Sequence, residues 1–268
     1  MTTAELTRYE IDVSDVEYIR HGTKPYLARV YKPRGKGPFP LMIDIHGGAW
    51  VNKDRLSDEG TDTPVAKTGV VVASLDFRMP PDGRFPASLQ DINYAIRWFK
   101  SRATEFNIDP KRVAIMGISM GGYYAPRCAS MEPRFAACVA WGAIWDYHAT
   151  WKKRVEAAFN AAMSVPGHHI TWILGVNTVE EALKKLEPYK LDGVVQKMQC
   201  PFLLVHGAED EQIPLADAQK QFDACGSQDK TFRVYTAEEG GSQHCQRDYL
   251  TLGVATMWDW FEDKLVRA

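Results

Sequence analysis

Val113-Ala-Ile-Met-Gly-Ile-Ser-Met-Gly-Gly-Tyr-Tyr-Ala-Pro126 is the stretch whose reading decides the fold. Val113 to Met116 is a short apolar run of the kind a buried strand makes. It breaks at Gly117-Ile118-Ser119-Met120-Gly121, and small and aromatic residues then resume as a helix. The break fits G-x-S-x-G, a nucleophile elbow, in which a serine occupies a sharp strand-to-helix turn. Its neighbours must lack side chains because the helix packs directly against the strand they flank. The turn lifts Oγ clear of the sheet, and the helix N-terminus behind it offers free N–H groups and a positive dipole end. The motif alone occurs by chance in many chains. A strand before it and a helix after it give it weight.

Outward from the elbow, strands alternate with helices. Leu41 to Ile45 is a near-continuous apolar run, as strands buried on both faces are, and Val70 to Leu75 is the next buried strand. Asp15–Ile19 and Tyr26–Tyr31 read as an antiparallel edge hairpin. A helix is expected from Pro86, with Leu89, Ile92, Ala95, Ile96 and Phe99 as its apolar stripe. Strands follow at Ala136–Ala143, Phe202–Val205 and Thr231–Thr236, with helices near 215–225 and 251–265. Such alternation predicts βαβ units and a mostly parallel central sheet flanked by helices. Between about Trp145 and Gln199 it stops, and 150–164 and 178–190 read as helices around a turn at Pro166 to His169. This insertion is expected to cap the C-terminal edge of the sheet, where open α/β sheets bind ligands. The fold class is therefore α/β, one domain over 1–268 with a helical cap at about 145–199.

The 268 residues, net charge of −2 and 45% hydrophobic content suit one large domain. At this size roughly three quarters of the unfolded surface can be buried, so neither metal nor disulfide is needed for stability. The longest basic run, Lys152-Lys153-Arg154, reads as a solvated helix face, which argues against nucleic acid or anionic membrane as partner. The first residues show no signal peptide, no stretch approaches 18 apolar residues, and five widely spaced cysteines imply reduced thiols. A cytoplasmic location is the expectation. Cys245, beside a candidate catalytic histidine, reads as a packed thiol.

A serine nucleophile needs a base and an orienter, in this class in the chain order serine, acid, histidine. Asp210 closes His206-Gly-Ala-Glu-Asp210 after one strand, and His244 closes Gly240-Gly-Ser-Gln-His244 after the next. Ser119, Asp210 and His244 are the predicted triad. Glu209 is the alternative acid, with Asp210 preferred. His206 reads as structural, His168 and His169 as surface turn residues, and His21 as a residue without a partner. No metal is expected, since the histidines lack a ligand spacing such as H-x-x-x-H, and no cofactor is required. His46-Gly-Gly-Ala-Trp50 follows a central strand, and consecutive glycines there can bring N–H groups against a developing oxyanion. Gly48, Ala49 and Met120 are the predicted oxyanion hole, and His46 braces the loop. Trp50, Trp145 and Tyr147 are the predicted substrate-binding residues, the last two lying past a strand end where aromatic walls hold flat apolar groups. Trp141, inside that strand, is expected to pack.

The combination of HGGAW, GISMGG, HGAED and GGSQHC resembles the α/β-hydrolase superfamily over almost the whole chain. The HGG-x-W box resembles that of hormone-sensitive-lipase-like esterases and kynurenine formamidases. It departs from the esterases in having Ala49 for a third glycine, and Ile118 and Met120 for their Asp and Ala. The elbow is closer to the peptidase and dienelactone-hydrolase branches. The C-terminal half, from Glu132 through Thr178-Val-Glu-Glu-Ala-Leu183 to Cys245, is similar to dihydroxypseudooxynicotine hydrolases and fungal polyketide-shortening hydrolases. Those enzymes cleave C–C bonds beside an aryl ketone and carry a larger N-terminal region. The resemblance implies hydrolysis of a small, aromatic or short, carboxylic ester. C–C or amide cleavage is the alternative, and a catalytically inactive binding module is a third. The partner expected is a small acyl compound, with a homodimer left open.

Overall fold

The computed structural model describes residues 8–48, 52–158 and 169–267. One sheet of eight strands runs through it: β1 (Ile11–His21), β2 (Lys24–Pro33), β3 (Phe39–Ile45), β4 (Val71–Leu75), β5 (Ile108–Ile118), β6 (Phe135–Trp141), β7 (Phe202–Gly207) and β8 (Lys230–Tyr235). Their order is β1-β2-β4-β3-β5-β6-β7-β8. β1 pairs antiparallel with β2, and β2 with β4, while every later pairing is parallel. The expected edge hairpin and central β3 are both present. Successive residues of a strand face opposite sides, so the apolar runs feed two cores. Leu41, Ile43, Val113 and Ile115 face one side, and Met42, Ala114 and Met116 the other.

The first side is covered by α2 (Ala87–Ser101), α4 (Gly121–Met131) and α8 (Leu215–Ala224), the short α3 (Ala103–Phe106) following α2. The second is covered by α1 (Glu59–Lys67) and α9 (Leu250–Phe261), through Val65, Val254, Met257 and Phe261. Sequence patterning did not reveal α1. Its Gly60 and Pro64 weaken the helical signal, and burial of Val65 and Ala66 against the sheet offsets that weakness. β6 ends at Trp141 rather than Ala143, because Gly142 turns the chain at φ +79°.

Three helices lie between β6 and β7: α5 (Tyr147–Ala158), α6 (Ile170–Leu174) and α7 (Val179–Leu186). Residues 159–164 of the expected first helix and 166–168 of the turn lie outside the described residues. α7 starts where predicted, its N-terminus capped by the Thr178 hydroxyl, which accepts from the Glu181 N–H at 3.1 Å. Tyr147, Trp151, Ile170, Ile173 and Leu186 carry this segment into the core on the α2 and α4 side. The basic run corrects the sequence reading: Lys152 and Lys153 are exposed, but Arg154 is buried. Its Nη2 donates to Gln212 Oε1 at 2.8 Å, and its guanidinium lies over the Trp151 ring. His21 is likewise partnered, Nε2 lying 2.9 Å from Asp91 Oδ1.

Carboxylates are buried between β3 and α1. Asp44 and Asp62 are fully buried, and neither oxygen of Asp62 has a hydrogen-bond partner. Burial and then the charge of Asp58 push the Asp44 carboxyl well above its ordinary range, and burial and then Asp44 do the same to Asp62. Both groups hold protons in the folded chain at pH values where the unfolded chain releases them. The stability they carry is complete in acid and is lost as pH rises toward their folded midpoints. Asp62→Asn should therefore raise the melting temperature at pH 9 more than at pH 5, each pKa unit removed being worth about 1.4 kcal/mol. A variant less stable than the parent at pH 9 would refute this account of the cluster.

Candidate active site

Ser119 stands between β5 and α4 at φ +55°, the left-handed region that a residue with a Cβ rarely enters. Close packing enforces this. A Cβ on Gly117 would strike the Gly121 carbonyl, and one on Gly122 the Gly142 carbonyl, so helix and strand approach only through these glycines. The Ser119 N–H donates to the Trp141 carbonyl at 2.7 Å, and its carbonyl accepts from the Gly122 N–H at 2.9 Å. The strained turn is thus held from both sides, which is how such strain persists.

The three predicted triad residues come together. Ser119 Oγ lies 2.8 Å from His244 Nε2, and His244 Nδ1 lies 2.7 Å from Asp210 Oδ2. The other Asp210 oxygen accepts from the N–H groups of Gln212 and Ile213, at 2.8 and 2.9 Å. Asp210 follows β7, and His244 opens a short helical turn before α9. Burial pushes the Asp210 carboxyl up, but the His244 hydrogen bond and charge, with His206 and the Ile213 N–H, hold it below the ordinary range. Glu209 is exposed and engaged elsewhere, accepting from the Ser242 hydroxyl at 2.9 Å. It braces the histidine loop. His206 is fully buried, with Nε2 donating to the Ile213 carbonyl at 3.0 Å.

The first glycines of the His46 loop lie against the elbow, where a Cβ on Gly47 would meet Ser119 Cβ at 3.4 Å. Gly48 is at φ +95°, with Asn52 so close that a side chain has no room. Among the described residues, the N–H groups of Gly48 and Met120 donate to no backbone acceptor. His46 is buried, stacked on Phe77 at 4.4 Å, with Nδ1 donating to the Gly47 carbonyl at 2.8 Å. Burial holds its pKa below the usual imidazole value, so it braces the loop as a neutral ring. Ala49 and Trp50 lie outside the described residues.

Of the expected substrate wall, Trp145 is half-buried beyond the end of β6. Tyr147 corrects the sequence reading: it is fully buried, its ring 4.7 Å from that of Tyr123 and 5.9 Å from that of Tyr124. It packs, as does Trp141, which faces the α9 side and donates its indole N–H to Gln246. His169 is half-buried with its ring edge-on to Trp151. No group of three or more His, Cys, Asp or Glu suited to a metal occurs among the described residues.

Cys245 is the residue whose part in the site the sequence did not reveal. Its backbone is left-handed, at φ +51°, and Sγ lies 3.5 Å from His244 Nε2 and from the Trp141 carbonyl. Only the adjacency of His and Cys signalled it. Burial works against the His244 imidazolium, but the sulfur and the Asp210 carboxylate outweigh it and raise the pKa above the ordinary value. A base must be unprotonated to act. The acid limb of kcat/KM against pH should therefore have its midpoint above the ordinary ~6.5, and Cys245→Ala should move it toward acid while turnover persists. A midpoint indifferent to the substitution would rule the sulfur out.

The sheet order and the elbow between β5 and α4 are those of an α/β-hydrolase. Comparison narrows the class: the BD-FAE family model matches residues 29–224. The chain belongs to the BD-FAE family. It is 31% identical over 123 residues to the versiconal hemiacetal acetate esterase of Dothistroma septosporum, covering 45% of this chain and 35% of that one. It is 25% identical over 243 residues to the 2,6-dihydropseudooxynicotine hydrolase of Paenarthrobacter nicotinovorans, covering 87% of this chain and 60% of that one. The crystal structure of a 2,6-dihydroxy-pseudo-oxynicotine hydrolase superposes with TM-score 0.72 at 21% identity, over 96% of this chain and 68% of that one. This chain spans less than two thirds of the curated relatives named. Among the described residues, no helix is long and apolar enough to cross a membrane.

Proposed function

We propose that this protein is a serine hydrolase that cleaves small carboxylic esters through an acyl-enzyme. The observation that carries the reading is the relay from Ser119 through His244 to Asp210, at 2.8 and 2.7 Å, on a strained elbow. His244 takes the Ser119 proton as Oγ attacks the ester carbonyl, and Asp210 holds the ring in the tautomer that can accept it. The negative charge that develops on the carbonyl oxygen is met by the N–H groups of Met120 and Gly48, with Ala49 as the third assigned donor. His244 then gives its proton to the departing alkoxide. Water, deprotonated by the same imidazole, attacks the acyl-enzyme, and the carboxylate leaves with Ser119 restored.

Esterases among the relatives support the reading. A second reading is C–C or amide cleavage in an aryl ketone or formamide. It draws on the length of the match to the pseudooxynicotine hydrolase, 87% of this chain. Fluorophosphonate labelling tests the shared premise, since an inactive binding module would stay unlabelled. Turnover of p-nitrophenyl esters set against aryl diketones then separates the two chemistries. Trp145→Ala should raise KM for an aryl ester more than for a small alkyl acetate; an equal rise would make that ring scaffold. Tyr147→Ala should act on stability instead, by about 3–5 kcal/mol as aromatic truncations in cores do. The check is its denaturant midpoint.

A further inference from the structure

A cavity of about 670 Å³ lies between α2 and α4, on the face of the sheet rather than at the edge where Ser119 stands. Its walls are two helix stripes. Leu89, Ile92, Asn93, Ile96 and Lys100 line it from α2, and Tyr124, Arg127, Cys128 and Met131 from α4. Both sets follow the three- and four-residue spacing of a single helix face. The apolar stripe of α2 is thus divided. Ala95 and Phe99 are fully buried, while Leu89 and Ile96 stay half-buried along the cavity. Val113 and Phe135 line it from β5 and β6. Cys128 is an uncharged part of the wall, since burial pushes its thiol up to about 11.

Charge is one-sided. Arg97, Lys100, Arg127 and Arg134 all line the cavity, and Glu132 is the one carboxylate among its lining residues. Glu132 is already engaged, Arg134 Nε donating to it at 2.7 Å. Arg97 bonds the neutral Asn93 side chain, and among the described residues Arg127 reaches the Lys190 carbonyl at 3.4 Å and the face of Tyr123. The Lys100 charge acts on Glu132 at a distance, adding to the effect of Arg134 in holding that carboxyl below its ordinary range. A smaller void shares Ile45, Leu89, Ile92 and Tyr124 with the cavity and continues to Met120 and Gly121, under the elbow.

We infer that the cleft between α2 and α4 is a binding site for an amphipathic carboxylate, an aliphatic chain lying along the two helix stripes with its anionic end at Arg97 and Lys100. The walls offer apolar surface and no carboxylate free to repel the anion. A second copy of the chain is the poorer occupant. A two-fold interface would set this basic rim against itself, and like charges there repel.

The test is calorimetric titration of the intact protein with hexanoate, octanoate and decanoate, and with 1-decanol as the neutral comparison. Each added methylene should tighten binding about three- to fourfold. Arg97→Glu/Lys100→Glu should weaken decanoate about tenfold at low salt and leave 1-decanol within about twofold. Ile96→Trp, which fills the cleft, should abolish both with the melting curve retained. The proposal is overturned by the absence of saturable decanoate binding or by equal affinity along the series. Charge reversal that affects acid and alcohol alike overturns it too, as does undiminished binding to Ile96→Trp.

Discussion

Ser119→Ala should lower kcat by about 10⁶, the loss that follows removal of the nucleophile from comparable triads. The geometry confines the damage to chemistry. Ser119 Oγ has one hydrogen-bond partner among the described residues, His244 Nε2, so its loss leaves the elbow's backbone bonds to Trp141 and Gly122 in place. Alanine also keeps the Cβ, so the strain at φ +55° persists and the melting temperature should hardly move. Ser119→Gly should be as inactive and more stable, because glycine enters that backbone region without the cost of order 1 kcal/mol or more. Turnover of Ser119→Ala within tenfold of the parent, with an unchanged melt, would remove Ser119 from the mechanism.

Asp210→Asn should cost about 10⁴ in kcat, and the structure says why an isosteric change is so costly. The Asp210 oxygen that accepts from the Gln212 and Ile213 N–H groups would keep the asparagine carbonyl on that side. The amide nitrogen is then turned toward His244 Nδ1, which must accept rather than donate. That forces the ring proton onto Nε2, facing Ser119, where it blocks proton abstraction. Glu209→Gln should leave kcat within a few-fold, since a glutamine carbonyl can still accept from the Ser242 hydroxyl. Steady-state kinetics of both variants decide the matter, and a reversed pair of effects would identify Glu209 as the acid.

That Ser119, Asp210 and His244 meet was legible in the chain because each follows an apolar strand, and strand ends converge on one edge of a parallel sheet. The order Ser119, Asp210, His244 was enough to name them. The close approach of the His46 loop to the elbow was legible for a related reason, since Gly47 and Gly48 leave room where backbone must press against it. The choice between Asp210 and Glu209 was harder, as two adjacent carboxylates look alike in sequence. The two differ in direction, Asp210 turning inward to His244 and Glu209 outward to Ser242.

Sequence by itself determined the fold class, the parallel sheet with its edge hairpin, and the residues of the relay. These depend on period, spacing and backbone permissiveness, which are local properties of the chain. Tertiary structure alone decided how far each side chain is enclosed and what it meets there. Tyr147 sits past a strand end like Trp145, yet the rings of Tyr123 and Tyr124 close over it. Arg154 belongs to a run that looks solvated, yet it is buried against Trp151 and Gln212. His21 found Asp91 seventy residues away, and Cys245 came within reach of the His244 imidazole through a left-handed turn. Each of these turns on contacts between elements remote in the chain, or on a backbone angle, that no local pattern records.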